Sequence, residues 1–158
     1  MSIRVVDIPD DPQTRLTVAR WSVAEWSHTF PDDTVDTYLD LFEAADAHPG
    51  ELPVVLVAIE DGRVVGTASL VDDDELPLAA EPGPWVAAVF VDPLQRGRGV
   101  GSALVRAALE RARELGFARV FLYTQTGADW YGRMGWERVR NAALGDANVT
   151  VLSRLTSD

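Results

Sequence analysis

Along this chain apolar residues recur either at every third or fourth position or in short β-branched runs, and the switches between the two patterns mark out the elements. The run IRVVDI, Ile3 to Ile8, predicts a short strand. The Asp10-Asp11-Pro12 cluster then offers a cap for a helix with Leu16, Ala19, Val23 and Trp26 on its apolar side. A second helix starts at Thr34, keeps Val35, Tyr38, Leu39, Phe42 and Ala45 on one stripe, and stops at His48-Pro49-Gly50. PVVLVAIEDGRVVGTASLV is two β-rich runs joined at Glu60-Asp61-Gly62, where Asp-Gly predicts a hairpin. A polar, proline-rich loop, DDDELPLAAEPGP, leads to the buried strand WVAAVFV, a glycine turn and a further helix. That helix places Val100, Leu104, Ala108, Ala112 and Leu115 on one stripe, with Arg106, Glu110, Arg113 and Glu114 opposite. ARVFLYT is then a strand parallel to WVAAVFV, because a helix joins them. A short helix around Asp129 to Met134 and two strands, near Glu137 to Arg140 and Asn148 to Leu152, complete a mixed, mostly antiparallel α/β sheet with one parallel β-α-β step.

Composition narrows the class. A chain of 158 residues that is 47% hydrophobic, with no low-complexity tract, predicts one compact domain over residues 1–158. The N-terminus has neither a basic region nor a long apolar run, and segments such as Val54 to Ile59 are too short to span a bilayer, so a cytoplasmic protein with no membrane partner is expected. Zero cysteines exclude a disulfide framework, a thiolate zinc site and a thiol nucleophile, and no metal is expected. The formal charge of −11 is unevenly placed: residues 1–75 hold 17 acids and 4 arginines, residues 76–158 hold 8 acids and 10 arginines, and there is no lysine. So acidic a chain offers no broad basic face to nucleic acid. The acidic half either solubilises the surface or forms one side of a field that a cationic partner would feel.

The stretch VFVDPLQRGRGVGSALV, Val89 to Val105, carries the chemistry. A strand that ends in a glycine turn opening into a helix presents unpaired N–H groups and the positive end of the helix dipole at one point, which suits an anion and above all phosphate. Without side chains at Gly97, Gly99 and Gly101 the anion can approach the backbone closely; the alternative is that the glycines serve strand-to-helix packing. The P-loop pattern fails for want of a lysine, and the dinucleotide pattern fails because the spacing is GxGxG.

The pattern [QR]xxGx[GA], met by Arg96, Gly99 and Gly101 after Val89, Phe90, Val91 and Asp92-Pro93, resembles the acetyl-CoA signature of the GNAT superfamily of N-acetyltransferases. Downstream, ADWYGRMGWERV is similar to that family's A-x-x-x-Y-x-x-x-G-[FW] segment, with Tyr131, Gly135 and Trp136 in the expected places. VARWSVAEWSHTFPDDT and VGTASLVDDDEL are similar to a group of bacterial GNAT proteins, so the resemblance covers essentially the whole chain.

The resemblance implies a GNAT fold whose sheet is splayed between strands four and five and flanked by helices, with acetyl-CoA as cofactor. The pantetheine arm would pair with the backbone of Val89, Phe90 and Val91, and the pyrophosphate would sit on N–H groups of Arg96, Gly97, Arg98, Gly99, Val100, Gly101 and Ser102. An acceptor amine would attack the thioester directly, a strand-four N–H would hold the oxyanion, and Tyr131 would act as general acid toward the thiolate. The alternative for Tyr131 is a place in an aromatic cluster with Trp130 and Trp136.

Two departures from the family pattern follow. The asparagine that many relatives keep before the last helix is absent from TQTGADWY, so Thr124, Gln125 or Thr126 would substitute for it. WVAAVFV lacks the glutamate that many relatives use to activate the amine, so either solvent takes the proton or a base is sought in Asp73, Asp74 and Glu75 or in His28 beside Trp26. Trp26, His28, Asp73 and Asp74 are the acceptor-binding candidates, against the alternatives of a solvated acidic loop and a surface histidine.

The function expected is acetyl transfer to a primary amine of a small cationic acceptor. The alternatives are protein or peptide N-acetylation and a non-catalytic acyl-CoA-binding sensor, and the assembly considered is a homodimer. A serine hydrolase is disfavoured because neither His28 nor His48 accompanies a G-x-S-x-G elbow.

Overall fold

The computed structural model describes residues 2–157. In chain order the elements are β1 (Arg4–Asp7), α1 (Pro12–Trp26), α2 (Val35–Ala47), β2 (Val54–Glu60), β3 (Arg63–Val71), β4 (Trp85–Val91), α3 (Val100–Glu114), β5 (Arg119–Thr124), α4 (Ala128–Arg133), β6 (Glu137–Leu144) and β7 (Ala147–Leu155). The strands form one sheet in the order β1-β2-β3-β4-β5-β7-β6, antiparallel throughout except at β4–β5. The β2–β3 hairpin turns at Asp61 (φ 52°) and Gly62 (φ 76°), the two left-handed residues that a two-residue hairpin loop demands.

Two irregularities in β4 create the working part of the sheet. Thr67 pairs with Phe90 and Ser69 with Ala87, so Ala88 and Val89 together oppose Ala68, and Ala88 takes a left-handed φ of 54°. This bulge bends the strand. On the other side β4 meets β5 at one residue pair, Trp85 with Phe121, supported by the Phe121 N–H donating to the Pro84 carbonyl at 3.0 Å. Beyond that pair the two strands part, which is the splay expected from the resemblance.

Helix α3 packs Val100, Leu104, Val105 and Ala108 on one face of the sheet together with Leu56, Ala68, Val120 and Leu122. The opposite face is covered in two parts. Helices α1 and α2 lie over Val55 and Val57, and the loop between β3 and β4 inserts Leu76 over Trp85, Phe121 and Val151.

The structure moves three boundaries or faces. The buried row of α1 is Arg15, Val18, Ala19 and Ser22, while Leu16, Val23 and Trp26 are half-buried. Arg15 can be buried because its guanidinium pairs with both carboxylate oxygens of Asp46 on α2, at 2.7 and 2.9 Å, and donates to the Pro9 carbonyl at 2.9 Å. Strands β6 and β7 run longer than their β-branched cores, because a tight turn at Gly145 (φ 59°) carries the ladder through the alanines Ala142, Ala143 and Ala147.

Candidate active site

The glycine turn joins β4 to α3, and its geometry distinguishes its glycines. Gly97 (φ 78°) and Gly99 (φ 84°) are left-handed, and a Cβ at either would meet no protein atom within 4 Å. The space above them is open to a ligand. Gly99 caps α3 and no side chain caps its first turn, so those N–H groups stay available to an anion. Gly101 differs: a Cβ there would lie 3.2 Å from the Trp130 ring, so this position is closely packed against α4 and not open to a ligand. Both arginines of the turn fold back on the protein. Arg96 donates to the Val91 carbonyl at 3.0 Å and lies 5.3 Å above the Phe90 ring, and Arg98 forms a two-pronged pair with Glu60 at 2.9 and 2.7 Å.

Gly66 of β3 seats the helix from below. A Cβ there would fall 2.9 Å from Leu104 Cδ1, 3.0 Å from the Phe90 carbonyl oxygen and 3.1 Å from Val100 Cγ1. The first turn of α3 therefore rests on bare backbone.

Tyr131 is 9% exposed, stands edge-on to Trp130 and Trp136, and lines the cleft described next. Its ring belongs to the aromatic cluster with Trp130 and Trp136, and the residue also borders the cleft. Its hydroxyl has no hydrogen-bond partner among the described residues, and burial pushes its pKa up to about 12. A phenol so placed keeps its proton and can donate it in a hydrogen bond. Thr124 accepts the Gly127 N–H at 2.9 Å, so of the three polar residues before α4 its oxygen is engaged locally, while Gln125 and Thr126 remain exposed at the cleft wall.

A cleft of about 980 Å³ opens where β4 and β5 part. It runs from the corner between α1 and α2, past Val89, to Tyr131, so it connects the two faces of the sheet at the splay. All four acceptor-binding candidates line it: Trp26, half-buried and edge-on to Phe90; His28 in the turn after α1; and Asp73 and Asp74 after β3. The chain's remaining contributions were not legible in the sequence. Asp33 and Tyr38 enter from the α1–α2 corner and Tyr123 from β5.

Six carboxyl side chains line this cleft, from Glu25, Asp33, Asp40, Asp73, Asp74 and Glu75, and none of the chain's 14 arginines does. The group is mutually repulsive. Burial, then the charges of Glu75 and Asp73, holds the Asp74 carboxyl well above its usual range; burial, then Asp33 and Asp73, raises Glu75. Tyr38 is pushed up to about 12 by burial and by Asp33, and Tyr123 rises by burial and the charges of Asp74 and Glu75. The loop that carries the acids is fastened in place. The Tyr123 hydroxyl donates to the Asp74 carbonyl at 2.9 Å, Asp73 accepts the Glu75 N–H at 2.9 Å, Leu76 is buried, and Glu81 holds Arg140 of β6 with two bonds of 2.8 and 2.9 Å. Asp72, Asp73 and Glu75 of this fastened loop remain exposed, and Asp74 is half-buried.

Among the described residues no helix is long and apolar enough to cross a membrane, and no cluster of three metal-binding side chains occurs. A sequence profile of the Acetyltransferase (GNAT) family matches residues 15–136. The mycothiol acetyltransferase of Nocardia farcinica is 34% identical over 99 residues, which is 53% of this chain and 31% of that protein, so the chain matches about a third of that relative's length. Among solved structures, an aminoglycoside 6'-N-acetyltransferase complexed with coenzyme A superimposes with a TM-score of 0.74 at 12% identity, covering 98% of both chains. An acetyltransferase structure from Salmonella typhimurium containing acetyl-CoA gives 0.70 at 18% identity, covering 100% of this chain and 96% of that one.

Proposed function

This chain belongs to the GNAT acetyltransferase family, and on that premise we propose that it acetylates a primary amine of a small acceptor carrying a further positive charge. The fold from β1 to β7 acts as one catalytic unit. Acetyl-CoA, the donor, supplies the activated acetyl thioester. The residues that would hold it are the backbone of Val89 to Val91, freed by the splay, and the N–H groups of the turn from Arg96 to Ser102; the open space at Gly97 and Gly99 and the uncapped start of α3 fit a pyrophosphate.

The observation that carries the acceptor class is the charge of the cleft. Several carboxylates elsewhere in this protein are paired with arginines, as at Arg15–Asp46, Arg98–Glu60 and Arg140–Glu81, yet the six cleft acids have no arginine among them. Desolvating like charges together is costly, and an arriving cation removes that cost. An ammonium of pKa ~10.4 must also lose a proton before it can attack, a penalty of roughly 4.6 kcal/mol at pH 7. Asp74 and Glu75, whose affinity for a proton is raised, are the cleft's proton acceptors. Tyr131 donates a hydrogen bond to the leaving sulfur as negative charge grows there. Its accessible, unpartnered hydroxyl favours catalysis over a sensor that only binds acyl-CoA.

The test is a panel of amines assayed with acetyl-CoA by release of free thiol: a diamine, a monoamine of equal length, an acidic amino acid and a peptide N-terminus. The diamine should exceed the monoamine in kcat/KM by about tenfold or more, the value of one added charge contact in a partly desolvated site. A best substrate that is anionic would sink the acceptor class.

A further inference from the structure

The turn that would receive the pyrophosphate is tied to a part of the protein that never touches the cleft. Arg98 sits between Gly97 and Gly99, both left-handed, at the most contorted point of the turn. Its guanidinium does not project toward the open side. It reaches back to Glu60, the last residue of β2, with Nη1 on Oε1 at 2.9 Å and Nη2 on Oε2 at 2.7 Å, and Gln95 Oε1 accepts a further bond from Nη1. Glu60 is 8% exposed and Arg98 pulls its carboxyl below the usual range, so this pair is more protected than a surface ion pair. Arg96 is held as well, by the Val91 carbonyl and the face of Phe90. The turn is thus anchored at both arginines while its glycines stay open.

We propose that Glu60 is a positioning residue of the donor site: by holding Arg98 against the β2–β3 hairpin it fixes the left-handed backbone of Gly97 to Gly99, so that the N–H groups at the start of α3 are already aimed before acetyl-CoA arrives. This rests on the assignment of the pyrophosphate to the glycine turn. The physical argument is preorganisation. Two left-handed glycines flanking one residue have the most conformational freedom in the unbound chain, and binding loses affinity by whatever ordering is left for the ligand to impose.

The competing idea gives the opposite sign. If Arg98 acted on the phosphates by its charge, Glu60 would be a neutralising competitor and its removal would free a cation beside an anion. Glu60→Gln, which keeps size and shape, separates the two. Positioning predicts a CoA Kd and an acetyl-CoA KM that rise roughly tenfold or more, with kcat at saturating donor and the acceptor KM within about twofold of wild type. Direct charge attraction predicts tighter CoA binding. Titration calorimetry and steady-state kinetics read both, and unchanged or tighter binding overturns the proposal.

A purely structural role would lower Tm without splitting donor KM from kcat. Where Glu60→Gln folds, adding Arg98→Gln should cost nothing further, and an independent loss at Arg98 overturns the proposal. Should Glu60→Gln fold poorly, Glu60→Asp, which keeps the charge but shortens the reach to Arg98, provides the second reading: positioning requires its CoA Kd to rise, and unchanged or tighter binding overturns it. Wild-type protein that failed to bind CoA at all would instead count against the glycine-turn assignment, so the two failures are told apart.

Discussion

At the level of single residues, the proposed chemistry turns on which polar groups are left without partners. Tyr131 is buried among aromatic rings with its hydroxyl free, and burial has raised its pKa to about 12. Tyr131→Phe should lower kcat by roughly 10² to 10⁴ while leaving CoA affinity unchanged. Because a raised pKa means that the phenol stays protonated, the ratio of wild-type to variant kcat should hold constant between about pH 6 and pH 10. A ratio that collapsed near pH 8 would remove Tyr131 from the proton inventory. The motif around Tyr131 made it visible in the sequence. Asp33, Tyr38 and Tyr123 were not visible, since each is an ordinary residue of its own element and acquires meaning only from the acids brought opposite it.

Elements set the space in which those residues work. The register shift at Ala88 and the single β4–β5 contact open the sheet, and the start of α3 is lowered into place over Gly66. Two glycine substitutions should therefore behave differently. Gly66→Ala drives a methyl into Leu104 and the Phe90 carbonyl, and overpacking of this kind costs about 1–3 kcal/mol, so both Tm and CoA affinity should fall. Gly97→Ala meets no protein atom and carries only the left-handed strain of about 1–2 kcal/mol, so its loss of CoA affinity should be out of proportion to its loss of stability. Thermal melts with calorimetric CoA titration measure both. Wild-type affinity in Gly97→Ala would take the phosphates off this turn. The sequence pattern pointed to Gly97, Gly99 and Gly101 together, and the structure divides them into two open positions and one packed closely on Trp130.

Across the whole molecule the charge is organised about the splay. Residues 1–75 contain 17 acids against 4 arginines, a net of −13, and residues 76–158 contain 8 against 10, a net of +2. The fold gathers acids of the first half along the cleft, while the glycine turn, whose residues do not line it, belongs to the second. A cationic acceptor would then be drawn toward the cleft. Raising ionic strength should increase KM for a dicationic acceptor and leave kcat nearly unchanged, because beyond a Debye length of ~8 Å at physiological salt such attraction is screened. A KM indifferent to salt would reduce the charge asymmetry to a matter of solubility.

Element order, hairpin chemistry, the glycine turn and the tyrosine motif were determined by the sequence alone, because each depends on residues within a few positions of one another. Periodicity and local turn preferences are properties of short windows. Which face of α1 is buried was decided only in three dimensions, by Arg15 finding Asp46 across 31 residues. The same holds for the Glu60–Arg98 tether, 38 residues apart, and for Tyr123 fastening Asp74, 49 apart. Such pairings follow from strand register and helix packing, which sum contributions from the whole sheet, so no local pattern announces them. The acidic run after β3 reads in sequence either as part of an acceptor site or as a solvated loop. It lines a cleft because contacts from distant elements, such as the Tyr123 hydroxyl on the Asp74 carbonyl, hold the loop beside the parted strands.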